Sequence, residues 1–173
     1  MDKAPVKQNI NLLQSGSQFF ETLIKLIDEA REEIHFQTYI FEKDETGLSV
    51  SKALLKAAAR GVKVHLLLDA YGSGKFPKDF MNEMREAGIQ LKFYGPIFAK
   101  GRFHIGRRLH RKVIVFDGRK AIVGGINITN HYNDVNGKKA WLDFAVVVED
   151  GVAYRLRAIC IQRWRKKRFR RMP

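Results

Sequence analysis

Apolar and polar residues recur along the chain with two periods, and each period predicts an element. After Ser15-Gly16-Ser17, residues Phe20, Leu23, Ile24, Ile27 and Ala30 fall at helical spacing within FFETLIKLIDEAREEI, with Ser17 as expected N-cap and Glu21 in the first turn. HFQTYIF (35–41) alternates and is rich in aromatic and β-branched residues, so it predicts a strand in which His35 is a hydrogen-bonded side chain. KDETG (43–47) reads as a loop, and LSVSKALLKAAARG as a helix with Gly61 past its end. VKVHLLLD (62–69), which holds His65, is nearly continuous in apolar residues, as a buried strand requires. YGSGK (71–75) is a strand-to-helix loop; its Gly-Ser-Gly-Lys turn is weak evidence for a phosphate cradle. Pro77 suits the start of helix KDFMNEMREA, Gly88 closes it, and IQLKFY (89–94) follows as a strand.

Residues 95–108 read as irregular. RKVIVFD, GRK and AIVGG then form a hairpin around Asp117-Gly118. WLDFAVVV (141–148) is a further strand and 151–168 a final helix, with Val152, Leu156, Ile159 and Cys160 on one core-facing stripe. Strand–helix alternation followed by a hairpin predicts one α/β domain over 1–165, with a mixed β-sheet flanked by helices on both faces. Residues 166–173 are a basic tail.

Composition narrows the function classes. A chain of 173 residues has room for one core and needs no disulfide or metal to fold, and its single cysteine, Cys160, fits a reducing compartment. No apolar run is long enough for a transmembrane helix, and MDKAPVKQNI lacks the apolar stretch of a signal peptide, so a cytoplasmic location is expected. The formal charge is +14, and two stretches hold all of the excess. Residues 98–120 carry +7 and residues 151–173 carry +9, leaving −2 for the rest. Such a field selects anionic partners: nucleic acid, a phosphorylated substrate or the inner face of an anionic membrane.

The chemistry concentrates in H-R-K-V-I-V-F-D-G-R-K-A-I-V-G-G-I-N (110–127). His110 and Lys112, two apart at a strand's start, project from one face. A hairpin centred on 117–120 sets residues near 112 and 125 opposite one another, which brings Asn127 toward His110 and Lys112. An imidazole can attack phosphorus or donate a proton, an ammonium and an amide can neutralise phosphoryl oxygens, and Gly124-Gly125 lets a phosphate approach the backbone.

This stretch resembles the H-x-K-x4-D-x6-G-[GS]-x-N motif of the phospholipase D superfamily at every position: His110, Lys112, Asp117, Gly124, Gly125 and Asn127. QTYIFEKDETG (37–47), LLLDAYGSG (66–74), GGINITNHY (124–132) and WLDFAVVVED (141–150) resemble segments of bacterial cardiolipin synthases, over about residues 10–165. The resemblance implies a phospholipase D-like domain and a ping-pong transfer through a phosphohistidine, with no cofactor and no metal. His110 would be the nucleophile or its acid partner, and Lys112 and Asn127 would hold phosphate oxygens. Asp143 matches the carboxylate that orients the histidine. Asp117, counted with the catalytic motif, would support its geometry. His104 and His131 are candidates for touching substrate near Gly124 and Gly125.

The family builds its site from two motifs, and this chain has one. His104 has Gly106 where a second motif needs lysine. The resemblance therefore implies a homodimer or a second half that completes the site, acting on an anionic phospholipid by phosphatidyl transfer or hydrolysis. Two alternatives stand beside it: a dimeric phosphodiesterase on nucleic acid, and an inert half serving as a basic module that binds membrane or nucleic acid. The tail RWRKKRFRR (163–171) suits a membrane surface, a nucleic acid or a linker equally well.

Overall fold

The computed structural model describes residues 9–95, 98–99, 102–103 and 108–165; the tail at 166–173 and His104 lie outside these. In chain order the elements are β1 (Ile10–Gln14), α1 (Ser17–Glu29), β2 (Glu33–Thr38), α2 (Glu45–Ala59), β3 (Lys63–Asp69), α3 (Lys78–Glu86) and β4 (Gln90–Tyr94). The two-residue pair β5 (Phe98–Ala99) and β6 (Arg102–Phe103) gives part of the stretch read as irregular a small ribbon. Then come β7 (Lys112–Phe116), β8 (Lys120–Gly124), a 3-10 turn at Asn130–Tyr132, β9 (Phe144–Glu149) and α4 (Asp150–Arg165).

Seven strands form one mixed sheet in the order β1-β9-β8-β7-β2-β3-β4. β2, β3 and β4 are parallel, joined through α2 and α3, and β7 returns antiparallel beside β2. Helices cover both faces, as the alternation predicts, so β2 and β3 are largely buried on both sides, the second face taking polar side chains such as His35, Gln37 and His65. Ile34, Phe36, Leu66 and Ile114 share one core with Leu23 and Ile27 of α1, Leu54 of α2 and Met84 of α3. Val113, Val115, Ala121 and Val148 face the other way onto Ala153 and Cys160 of α4. Cys160 is fully buried and its thiol pKa is pushed up to about 12 by that burial, whereas Ile159, read onto the same stripe, is exposed.

Several boundaries differ from the sequence pattern for local reasons. Gly16, not Ser17, occupies the N-cap of α1, and Asp134 accepts a hydrogen bond from the Ser17 N–H instead (3.1 Å). The 43–47 loop is shorter than read, because the Asp44 carboxylate accepts from Gly47 N–H (2.9 Å) and starts α2 at Glu45. β9 begins at Phe144 because Trp141 and Asp143 bond outside the sheet, Trp141 N–H to the His131 carbonyl (2.8 Å) and Asp143 N–H to Ser15 Oγ (3.0 Å). β1 escaped the pattern altogether. Only Leu13 of its five residues is buried, which leaves no clean alternation to read.

The β7–β8 hairpin turns on Asp117 and Gly118, both left-handed (φ 52° and 65°), and Arg119 N–H closes it on the Phe116 carbonyl (3.0 Å). Lys112 pairs with Gly124, one residue from the expected register. The hairpin thus carries Lys112 and the Gly124–Asn127 segment to the carboxyl ends of β2 and β3, where open α/β sheets place their sites.

Candidate active site

Tyr39 follows β2 and forms the floor of the site. Its ring lies 4.9 Å from the His110 ring, centroid to centroid, and the Lys112 ammonium sits 5.5 Å from its centre. His110 is exposed, while Lys112 is only 8% exposed. Burial lowers the pKa of Lys112 below the ordinary lysine value, and the Asp143 carboxylate opposes that shift through its charge. Among the described residues no group accepts a hydrogen bond from Lys112, so its N–H donors face the site uncommitted.

Asn127 is buried beside these groups. Its carbonyl oxygen accepts from Ile40 N–H (3.1 Å), and its amide donates to the Tyr132 hydroxyl (3.3 Å). One amide proton remains for a ligand. Asp143 lies across Gly125: a Cβ there would overlap its carboxylate, and one at Gly124 would run into the Ala145 backbone. The two glycines therefore make room for β9 and Asp143; the phosphate approach read from the sequence is a separate matter. The Asp143 carboxylate is held by Phe144 N–H (2.7 Å), and among the described residues no hydrogen bond joins it to His110.

Asp117 is distant from this cluster. Six residues, five of them in β7, lie between it and His110, a span of roughly 20 Å. Its carboxylate accepts from the backbone N–H groups of Arg31 (2.9 Å), Glu32 (2.8 Å) and Glu33 (2.9 Å), pinning the hairpin to the start of β2. That supports the motif's geometry without touching the site. His131 is exposed and stacks on Trp141 (4.4 Å), whose ring also meets Tyr132 (6.0 Å), so it sits on the rim.

Three contributors carry no mark in the motif. Asp69, fully buried at the end of β3, accepts from Leu109 N–H (2.6 Å), Tyr71 N–H (2.9 Å) and Gly72 N–H (3.1 Å), which fixes the backbone just before His110. Ser73 Oγ donates to the Tyr39 carbonyl (3.0 Å) and accepts from Phe41 N–H (3.0 Å). The Gly72–Ser73 turn thus braces the floor of the site from behind. Tyr132 orients Asn127. An acid closing a strand that precedes a glycine-serine turn was the one available signal for Asp69.

A second cluster of ligand-type side chains, Glu33, His35 and His65, lies in the amino-terminal half of β2 and β3, with donor atoms within 4.8 Å of one another. The two imidazoles are stacked (4.7 Å, 11°). The His35 ring lies 3.2 Å from the Glu33 carboxylate, and Arg157 of α4 pairs with the same carboxylate, so the charge of Glu33 is already partnered within the protein.

The chain matches the family model described as "Cardiolipin synthase, PLD-like domain" over residues 23–159. It is 39% identical over 155 residues to cardiolipin synthase B of Escherichia coli K12, covering 85% of this chain and 37% of that protein. Against cardiolipin synthase 1 of Bacillus anthracis it is 36% identical, covering 88% and 30%. The chain thus spans about a third of the length of these relatives. Among solved structures, the phospholipase D family member Nuc of Salmonella typhimurium superposes with TM-score 0.69 at 24% identity, covering 96% of this chain and all of Nuc. Phosphatidylserine synthase of Haemophilus influenzae superposes with TM-score 0.73 at 20% identity, covering 91% and 37%. The motif on its hairpin, the mixed sheet beneath it and these matches agree, and the chain belongs to the phospholipase D-like family of cardiolipin synthase domains.

Proposed function

We propose that this chain is one half-site of a phosphatidyl-transferring enzyme acting on anionic phospholipid. The supporting observation is the convergence of His110, Lys112 and Asn127 on the Tyr39 floor, with two uncommitted classes of N–H donor beside an accessible imidazole. An imidazole nitrogen of His110 attacks phosphorus, and the bond from phosphorus to the leaving alcohol's oxygen breaks. The leaving oxygen takes its proton from the histidine of a second motif, supplied by another copy or another half. Lys112 and the Asn127 amide carry the charge that grows on the non-bridging oxygens. An acceptor alcohol then attacks the phosphohistidine while the second histidine removes its proton, and His110 is released. Asp143 biases Lys112 electrostatically and stands where it can meet a reoriented imidazole.

A nucleic-acid phosphodiester is the second reading, since the +7 charge over residues 98–120 suits either anionic substrate. Wild type and His110→Ala, assayed side by side on phosphatidylglycerol vesicles and on single-stranded DNA, separate the two. Phospholipid turnover that His110→Ala abolishes supports transfer. Turnover confined to DNA replaces it with the second reading, and unchanged turnover in His110→Ala refutes the mechanism. Light scattering on the active species should give at least twice the 20.0 kDa chain mass.

A further inference from the structure

Leu142 is 70% exposed and its neighbour Trp141 60%, among the most exposed large apolar side chains described. They sit immediately before Asp143, at the rim of the site. Phe144 (45%) follows at the start of β9, and Leu12 (64%) is exposed on β1 opposite Val146. Large apolar side chains exposed together at the rim of a site mark a contact.

The edge is held outward by the fold. Trp141 N–H bonds the His131 carbonyl (2.8 Å), Ser15 Oγ donates to the Trp141 carbonyl (2.6 Å), and the His131 ring stacks on the indole. These contacts fix the Trp141 backbone and seat its ring on His131. Lys138 and Lys139, both exposed, precede them with Ala140 between. Of the nearby acids, Asp143 adjoins Leu142, and Asp134 accepts from the backbone N–H groups of Ser17 (3.1 Å) and Ala140 (3.1 Å) while also attracting Lys139 through its charge, which leaves Lys138 the freer of the two lysines.

We propose that the segment Lys138–Leu142 is the chain's docking edge for an anionic phospholipid surface. The lysines meet lipid phosphates, and Trp141 and Leu142 enter the headgroup–acyl boundary, the placement aromatic and aliphatic residues take beside basic ones. Seated in this way, the mouth of the site opens at the depth of the phosphodiester it reads. The Trp141 ring leans on Tyr132, which holds Asn127, so surface and site share one wall. A second copy is the competing occupant of this edge, and the oligomeric mass distinguishes the two. This inference rests on the phospholipid reading above.

The test is flotation of the full chain with vesicles of equal phosphatidylglycerol and phosphatidylcholine, comparing wild type with Lys138→Gln/Lys139→Gln/Leu142→Ser. The two lysines alone should account for roughly thirtyfold in vesicle partitioning, at about 1 kcal/mol each. In a Trp164→Phe background, Trp141 emission should shift to the blue on vesicle addition. Equal flotation of variant and wild type overturns the proposal, as does an unmoved Trp141 emission. A lower mass of the variant by light scattering, with flotation unchanged, assigns the edge to a second copy and also overturns it. Turnover of dispersed short-chain phosphatidylglycerol, measured in parallel, should be equal in both proteins. If neither turns it over but the variant alone loses flotation, the docking edge stands and the catalytic reading falls.

Discussion

Asp117 offers the sharpest test of how the motif is divided between chemistry and support. Its carboxylate accepts three backbone N–H groups from the segment leading into β2, and its backbone is left-handed (φ 52°). Asp117→Ala removes all three acceptors and places an alanine where L-residues are strained. Hydrogen bonds to a charged group contribute about 1.5–3 kcal/mol each when buried. Two of these three lie at the exposed end of the network, where water can replace the carboxylate, so together they amount to roughly 2–3 kcal/mol. The left-handed backbone adds about 1 kcal/mol. The expected loss is roughly 3–4 kcal/mol in urea unfolding monitored by circular dichroism, with an unchanged slope. Asp117→Asn keeps one acceptor oxygen and tolerates the left-handed turn, so it should lose about half as much. Turnover per folded molecule should survive both changes, since the carboxylate is roughly 20 Å from His110. A loss under about 0.5 kcal/mol, or abolished turnover in fully folded Asp117→Asn, would refute a supporting role.

Three further outcomes follow from the same geometry. Burial lowers the pKa of both His35 and His65, against the opposing charge of Glu33, so the unfolded chain binds protons that the folded one refuses. Stability should be full above the unfolded value near 6.5 and fall as the pH drops through it, by at most about 1.4 kcal/mol per pH unit for each histidine, and a flat urea profile from pH 7.5 to 5.5 would contradict this. Asp69→Ala frees the Leu109 N–H and loosens the backbone before His110, so kcat should fall while binding of inorganic phosphate to Lys112 is retained; equal loss of both would assign Asp69 to folding alone. Cys160 should resist a thiol reagent in the native chain, given its burial and raised pKa, and react in full in urea; rapid native labelling would show that α4 leaves the sheet.

The layers of the fold were legible because most strands and helices bury a regular face. VKVHLLLD carries an apolar run, Val64, Leu66, Leu67 and Leu68, that is buried in β3. The chemical motif was legible because all six of its positions lie on one local hairpin. Less legible was whatever depends on contacts across the chain. Asp69 is partnered by Leu109, forty residues on, and neither residue announces the other. Gly124 and Gly125 suggested access for a phosphate, yet the space they leave is filled by Ala145 and Asp143 from β9. β1 is an edge strand whose Ile10 and Leu12 stay exposed, so periodicity could not register it. The expected Asp143–His110 bond belongs to the same class. The fold brings Asp143 to Lys112 and Gly125, and among the described residues no hydrogen bond joins it to His110.

The central claim is that His110 bonds covalently to phosphorus. Incubation with phosphatidylglycerol, rapid quenching under alkaline conditions and peptide mass spectrometry test it directly. A phosphatidyl adduct on the peptide containing His110, labile in acid and absent from His110→Ala, is the predicted result. Turnover with no adduct there, or with an adduct on another residue, would contradict the account.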